Sequence, residues 1–262
     1  MSSEYQQRFG GIARLYGESS LTQFANSHVC VIGIGGVGSW AVEALARSGI
    51  GQITLIDMDD VCITNTNRQL HALQGHVGQL KTEVMAARIR LINPECQVHI
   101  IDDFITPDNL AEYLTPGYDY VIDAIDSIKA KTALLSYCKR HKQPIITTGG
   151  AGGQKDPTQI RIIDLAKTTQ DPLAARVRAD LRRHYGFPRD PKKKFGIACV
   201  YSTEQLTYPD QQGGVCQTKS ESDGVYRMDC ANGFGAVTVV TATFGFVAVS
   251  HVLNKLSDKQ TQ

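Results

Sequence analysis

Gly33-Ile34-Gly35-Gly36-Val37-Gly38 follows the apolar run His28-Val29-Cys30-Val31-Ile32 and leads into a helix-like stretch from Ser39 to Ser48. The next apolar run, Gln52 to Ile56, ends at Asp57. Strand, glycine turn, helix, strand and acid, in that order, is the sequence form of a nucleotide-binding βαβ unit. The glycines Gly33, Gly35, Gly36 and Gly38 divide three tasks: a tight turn, close approach of backbone to phosphate, and close packing of helix on strand. The helix start then offers unpaired N–H groups and a positive dipole end to an anion. Asp57 is placed to bond a ribose hydroxyl. A glycine turn also occurs for purely structural reasons, so the context carries the nucleotide reading.

Outward from this unit, apolar β-like runs recur at 28–34, 52–57, 97–101, 119–123 and 144–148. Helix-like stretches lie near 37–48, 78–92, 107–114 and 129–141. The alternation predicts an α/β fold, a Rossmann-like, doubly wound, mostly parallel sheet covered on both faces. Gly49 suits a helix C-cap, Asn93-Pro94 ends the second helix, and Pro107 is expected at the first position of the third. Residues 1–153 read as the nucleotide-binding core with an N-terminal arm. Residues 154–262 read as a smaller C-terminal extension packed on the same domain.

That extension follows the cluster Gly149-Gly150-Ala151-Gly152-Gly153, which demands unusual backbone angles or close approach to something. A short β-like run, Gln159 to Ile163, comes next. Asp171-Pro172 opens a helix to about Tyr185, stopped by Gly186, with Leu173, Val177 and Leu181 as its apolar stripe. Arg176, Arg178, Arg182 and Arg183 are expected on the opposite side. Gln211 to Asp223 reads as a polar loop.

The formal net charge of +1 over 262 residues conceals an asymmetry. Arg176 to Lys194 holds eight Lys or Arg and two Asp, a net of +6, against −5 for the remainder. Arg176, Arg178, Arg182, Arg183, Lys192, Lys193 and Lys194 are therefore the candidate contact for nucleic-acid phosphates. The seven cysteines are odd in number, widely spaced and without a CxxC pair, which argues against a disulfide framework or structural zinc and for a reducing, cytoplasmic setting. The first eleven residues lack a signal-peptide core. Ala231 to Asn254 contains no charged residue, so it is a formal membrane-span candidate. Its Gly, Ala, Thr and Ser content favours a helix packed inside protein or against a partner subunit.

Arg68, Lys81 and Asp126, each taken singly, read equally as ordinary solvated or paired charges and as ligand contacts. Lys81 opens a helix, where a cation is unfavourable unless an anion is already present. Asp126 follows the run 119–123, at the strand ends where open α/β sheets bind ligands, and a carboxylate there suits Mg²⁺ against phosphates.

Taken together these residues resemble the ubiquitin-activating-enzyme superfamily, whose bacterial, ThiF-like members adenylate carboxylates. The resemblance runs through Arg14, the loop 33–38, Asp57 with Asp59, Asn65 with Arg68, Lys81 and Asp126. It implies ATP as cofactor, with Asp57 on the ribose, Asn65, Arg68 and Lys81 on the phosphates and Asp126 on Mg²⁺. It further implies a homodimer in which Arg14 reaches the partner's site. Members that activate sulfur carriers usually carry two CxxC pairs for zinc, absent here. The segments 8–17, 56–61, 147–153 and 227–231 instead resemble the tRNA threonylcarbamoyladenosine dehydratase group. That resemblance implies adenylation of the threonyl carboxylate of the modified tRNA nucleoside, followed by cyclisation. Cys230 is the candidate acceptor thiol for a cysteine-desulfurase or sulfur-acceptor partner, against a plain buried cysteine.

Three other readings remain at this point. An enzyme adenylating a sulfur-carrier protein requires a partner ending in Gly-Gly. A dinucleotide-dependent oxidoreductase leaves Arg14, Arg68 and Lys81 without a role. A binding module, on nucleotide or membrane, predicts ATP binding without turnover.

Overall fold

The computed structural model describes residues 1–115, 117–210, 213–217 and 235–258. Two helices, α1 (Ser3–Tyr16) and α2 (Glu18–Asn26), precede the first strand, β1 (His28–Ile32). The Ser2 hydroxyl caps α1 by accepting from the Tyr5 N–H at 3.0 Å. Tyr5, Phe9 and Ala13, one helical face, are buried against Leu21 of α2. The apolar spacing of Tyr5, Phe9 and Ala13 is present within an otherwise polar segment.

The chain then alternates: α3 (Gly38–Arg47), β2 (Gln52–Ile56), α4 (Lys81–Ile92), β3 (Gln97–Ile101), α5 (Leu110–Leu114), β4 (Tyr120–Asp123), α6 (Ile128–Arg140) and β5 (Ile145–Thr148). Beyond the glycine cluster come β6 (Ile160–Asp164), α7 (Pro172–His184), β7 (Ala198–Ser202), the two-residue strands β8 (Tyr208–Pro209) and β9 (Val215–Cys216), and α8 (Thr238–Asp258). The main sheet has seven strands in the order β3-β2-β1-β4-β5-β7-β6, parallel except for β6, which runs antiparallel to β7. This is the expected Rossmann-like architecture.

The strands of β1 type are buried on both faces, as central parallel strands are. Val29 and Val31 face one core with Leu45 of α3, Met85 of α4 and Phe244 of α8. Cys30 and Ile32 face the other with Leu134 of α6 and Val177 of α7. The C-terminal helix α8 packs on α2, α3 and strands β5 to β7. It is the one described helix long and apolar enough to cross a membrane, yet more than half of its apolar window is buried within the chain.

One expected helix start moves. Asn109, not Thr106, immediately precedes α5, so Pro107 lies outside that helix. The Asn109 side chain takes the Thr106 N–H at 2.8 Å and bonds back to Asp103 and Phe104, forming a polar turn that delays the helix. The basic helix also differs. Arg176 and Arg183 are exposed, but Arg178 and Arg182 are half-buried. Arg178 donates to the Thr168 hydroxyl, and Arg182 donates to the Pro188 carbonyl at 3.2 Å while lying over the Phe195 ring.

Candidate functional site

From β1 the chain leaves to β2 and β3 on one side, then returns to β4 on the other. The crevice between β1 and β4, at their carboxyl ends, is the topological switch point where open α/β sheets bind ligands. A cavity of about 1200 Å³ lies there. Gly33, Gly35, Gly36, Asp57, Asp59, Asn65, Arg68, Lys81 and Asp126 line it together. Residues spread over nearly a hundred positions of sequence thus meet in one place.

Two of the loop's expected tasks are visible, a tight turn at Gly33 and close packing at Gly38. Gly33 has φ +86°, open to glycine, and a side chain at buried Gly38 would overlap the Gly33 carbonyl. Gly38 therefore seats α3 behind the loop, while Gly35 and Gly36 face the cavity. Among the described residues, nothing accepts from the N–H of Gly35, Gly36 or Val37. Unpaired donors at a helix start are suited to receive an anion.

Asp57 is buried, and each of its oxygens takes a backbone N–H: Ile34 at 2.6 Å and Asp59 at 2.8 Å. It shapes the loop, and each oxygen keeps a second lone pair able to accept another donor. Burial pushes its carboxyl above the ordinary range, partly opposed by Lys81 and these N–H groups.

Lys81 begins α4, 5% exposed, and its Nζ meets Asp59 Oδ2 at 2.6 Å. The anion expected beside this awkwardly placed cation is thus inside the chain. Asp59 is half-exposed, so the pair opens to the cavity on the Asp59 side. Buried Asn65 takes the Cys62 N–H at 3.0 Å and closes the turn Ile63–Asn65 that leads to Arg68.

Arg68 donates to the Thr64 carbonyl at 2.9 Å and to Asn67 Oδ1 at 3.0 Å. Its own carbonyl accepts from Trp40 Nε1 at 3.0 Å and from the Thr241 hydroxyl at 3.3 Å. Thr238 donates to the Asn67 carbonyl at 2.7 Å. The start of α8 therefore holds the arginine-bearing loop, a task the sequence offered no signal for.

On the other wall, Asp123 ends β4 as Asp57 follows β2. It is fully buried and ion-paired with Lys131 of α6 at 2.8 Å, and it takes the Thr147 hydroxyl at 2.6 Å. Lys131 also donates to the Ile125 carbonyl at 2.8 Å. This network fixes the β4–α6 loop that carries Asp126, whose own side chain is exposed at the cavity.

Asp171 braces Gly150 of the glycine cluster that lines this wall. Its Oδ1 caps α7 through the Ala174 N–H at 2.9 Å, and its Oδ2 accepts the Gly150 N–H at 3.0 Å. A side chain at Gly149 would occupy the space that this carboxylate fills. Burial pushes the Asp171 carboxyl upward, against the pull of these N–H groups and Lys131. Thr148 to Gly152 and Leu173 of α7 line the same cavity.

Several expected site residues lie elsewhere. Arg14 is exposed in the last turn of α1 and does not line this chain's cavity. Arg176, Arg183 and Lys192 to Lys194 are exposed outside it. Cys230, the segment 227–231 and the first residues of 231–254 lie outside the described residues.

Fold and site define a class. The chain belongs to the ThiF family, whose model matches residues 9–262. It is 64% identical over 259 residues to the tRNA threonylcarbamoyladenosine dehydratase of Escherichia coli strain K12, covering 99% of this chain and 97% of that one. The enzyme of that name from Haemophilus influenzae is 61% identical over 257 residues, covering 98% and 96%. The solved structure of the E. coli tRNA N6-threonylcarbamoyladenosine dehydratase, TcdA, in complex with ATP matches with a TM-score of 0.89 at 60% identity, covering 99% of this chain and 98% of that one. The AMP complex of that enzyme matches with a TM-score of 0.88 at 59% identity, covering 100% and 98%.

Proposed function

We propose that the chain is an ATP-dependent dehydratase of threonylcarbamoyladenosine in tRNA. The observation that carries this is the convergence of the glycine loop, Asp57, Asn65, Arg68, Lys81 and Asp126 on one cavity at the β1/β4 switch point. The relatives named for this reaction, and their ATP and AMP complexes, support it.

In the reaction, the threonyl carboxylate attacks the α-phosphorus of ATP and pyrophosphate leaves. The resulting acyl-adenylate is attacked from within the same side chain by its carbamoyl group, which loses a proton as AMP departs. The nucleoside has then lost one water, whose oxygen leaves on AMP. Well-oriented intramolecular attack reaches effective molarities of about 10⁵–10⁸ M, so no enzyme nucleophile is required. Among the described residues, no cysteine or histidine lines the cavity.

The N–H cradle, Arg68 and Lys81 stabilise charge developing on phosphate, a contribution that is large in a preorganised site. Asp126 fits Mg²⁺, which is commonly held by one or two carboxylates plus substrate phosphates. Bound there, the ion would neutralise charge on the phosphates. Exposed Arg14 serves the partner's cavity in a homodimer, as an arginine finger does. The tRNA docks on Arg176, Arg183 and Lys192 to Lys194, with Arg178 and Arg182 bracing that surface. Leu173, at the start of the same helix, borders the cavity, so this surface leads to it. A cytoplasmic setting follows from the tRNA substrate.

The deciding experiment incubates the protein with ATP, Mg²⁺ and tRNA bearing threonylcarbamoyladenosine, then weighs the digested nucleosides. Loss of one water only in the presence of ATP is expected. Unchanged nucleoside mass with ATP bound would refute the reading in favour of protein adenylation or simple binding. Mixing Arg14→Ala and Lys81→Ala subunits should recover activity that neither has alone, whereas no recovery would refute the shared site.

A further inference from the structure

His71 is buried, 1% exposed, behind the glycine loop. Its Nε2 lies 2.8 Å from the Ile34 carbonyl oxygen. A carbonyl only accepts, so the ring proton sits on Nε2. Burial pushes the imidazole down to about 4, with Lys81 and His76 adding to the downward push, so the ring is neutral at ordinary pH. Nδ1 is left buried without a partner among the described residues. An orphaned buried nitrogen is a cost that a residue filling space alone would avoid.

Ile34 is thereby held from both sides. Its N–H goes to Asp57 and its C=O to His71. The peptide joining Ile34 to Gly35 is planar and trans, so its C=O and N–H point in opposite directions. With the carbonyl turned back to His71, the Gly35 N–H turns away from His71; Gly35 lines the cavity, and among the described residues nothing accepts from its N–H.

We infer that His71 is a positioning residue for the phosphate cradle: its Nε2–H, given to the Ile34 carbonyl, sets the Ile34–Gly35 peptide so that the Gly35 N–H faces the nucleotide phosphates. This rests on the ATP reading above. His71 touches no substrate and acts only through the loop.

The test compares His71→Gln, His71→Asn and His71→Leu in the full chain. Dissociation constants for ATP with Mg²⁺, and for adenosine, are measured by competition against a fluorescent ATP analogue. Gln places an amide N–H near the position of Nε2, Asn near that of Nδ1, and Leu offers none. Asn and Leu should weaken ATP about tenfold, the scale of one hydrogen bond to a charged group, with adenosine unchanged. Gln should stay close to wild type. If Leu fails to fold, the Asn and Gln pair decides, since both keep an amide. Equal ATP affinity in Asn and Gln overturns the role, as does parallel weakening of ATP and adenosine. A wild-type chain without ATP affinity overturns the nucleotide site itself, a separate and earlier failure.

Discussion

Lys81 and Lys131 each reach an aspartate at less than 3 Å, Lys81 in the lining of the cavity and Lys131 bonded to the carbonyl of Ile125, which lines it. Their surroundings separate them. The Lys131–Asp123 pair is closed off, at 2% and 0% side-chain exposure, and its atoms are spent on Ile125 and Thr147. The Lys81 side chain is as hidden, at 6%, but its partner Asp59 stands 53% exposed in the cavity. A buried pair with every bond made is scaffold, because opening it strands a charge in low dielectric. A pair with one wet partner can exchange that partner for a ligand's phosphate at modest cost. Lys192 to Lys194, exposed on the loop after α7, complete the gradient from sealed to free.

The gradient yields three tests, in falling order of effect. Lys131→Ala should lower stability by about 3–5 kcal/mol, read as a shift of the urea midpoint, because Asp123 is left unpaired. A loss below about 1 kcal/mol would put Lys131 in the same class as surface pairs. Lys81→Ala should keep a melting temperature close to wild type yet lose turnover by about 10²–10³, the scale of removing one transition-state donor. Unfolding of that variant would erase the distinction between the two lysines. Replacing Lys192, Lys193 and Lys194 by Glu should leave turnover at saturating tRNA intact. It should reduce the slope of log Kd for tRNA against log salt by about 2, as three phosphate contacts are lost. An unchanged slope would remove that patch from the RNA surface.

This difference also explains what could be read in advance. Lys81 was legible because a cation at a helix N-terminus conflicts with the dipole, and the conflict asked for an anion. Lys131 sits in Ile128-Lys129-Ala130-Lys131-Thr132, where alternate lysines look like a solvated face. Only the sheet register, which brings Asp123 beside Thr147, shows that this one turns inward. The glycine loop and strands β1 to β5 followed local periodicity and could be placed to within a residue or two. Strand β7 could not, because Ala198–Ser202 is brief, follows a basic loop, and is recognisable only by its neighbours β5 and β6. Arg178 and Arg182 are half-buried for a related reason. Helical spacing fixes direction from the axis, but Thr168 and Phe195, which cover them, arrive from other parts of the chain.

Asp171 and Gly149 have a shared history to keep. A lineage that puts any side chain at position 149 drives the Asp171 carboxylate out of its seat, and α7 loses its cap together with the Gly150 tether. A lineage that first loses Asp171 uncaps the helix at once, at about 1 kcal/mol or more. Neither position has a neutral first step, so their contact makes substitution at either one costly. Twenty-two residues apart in the chain, each limits what the other position can hold.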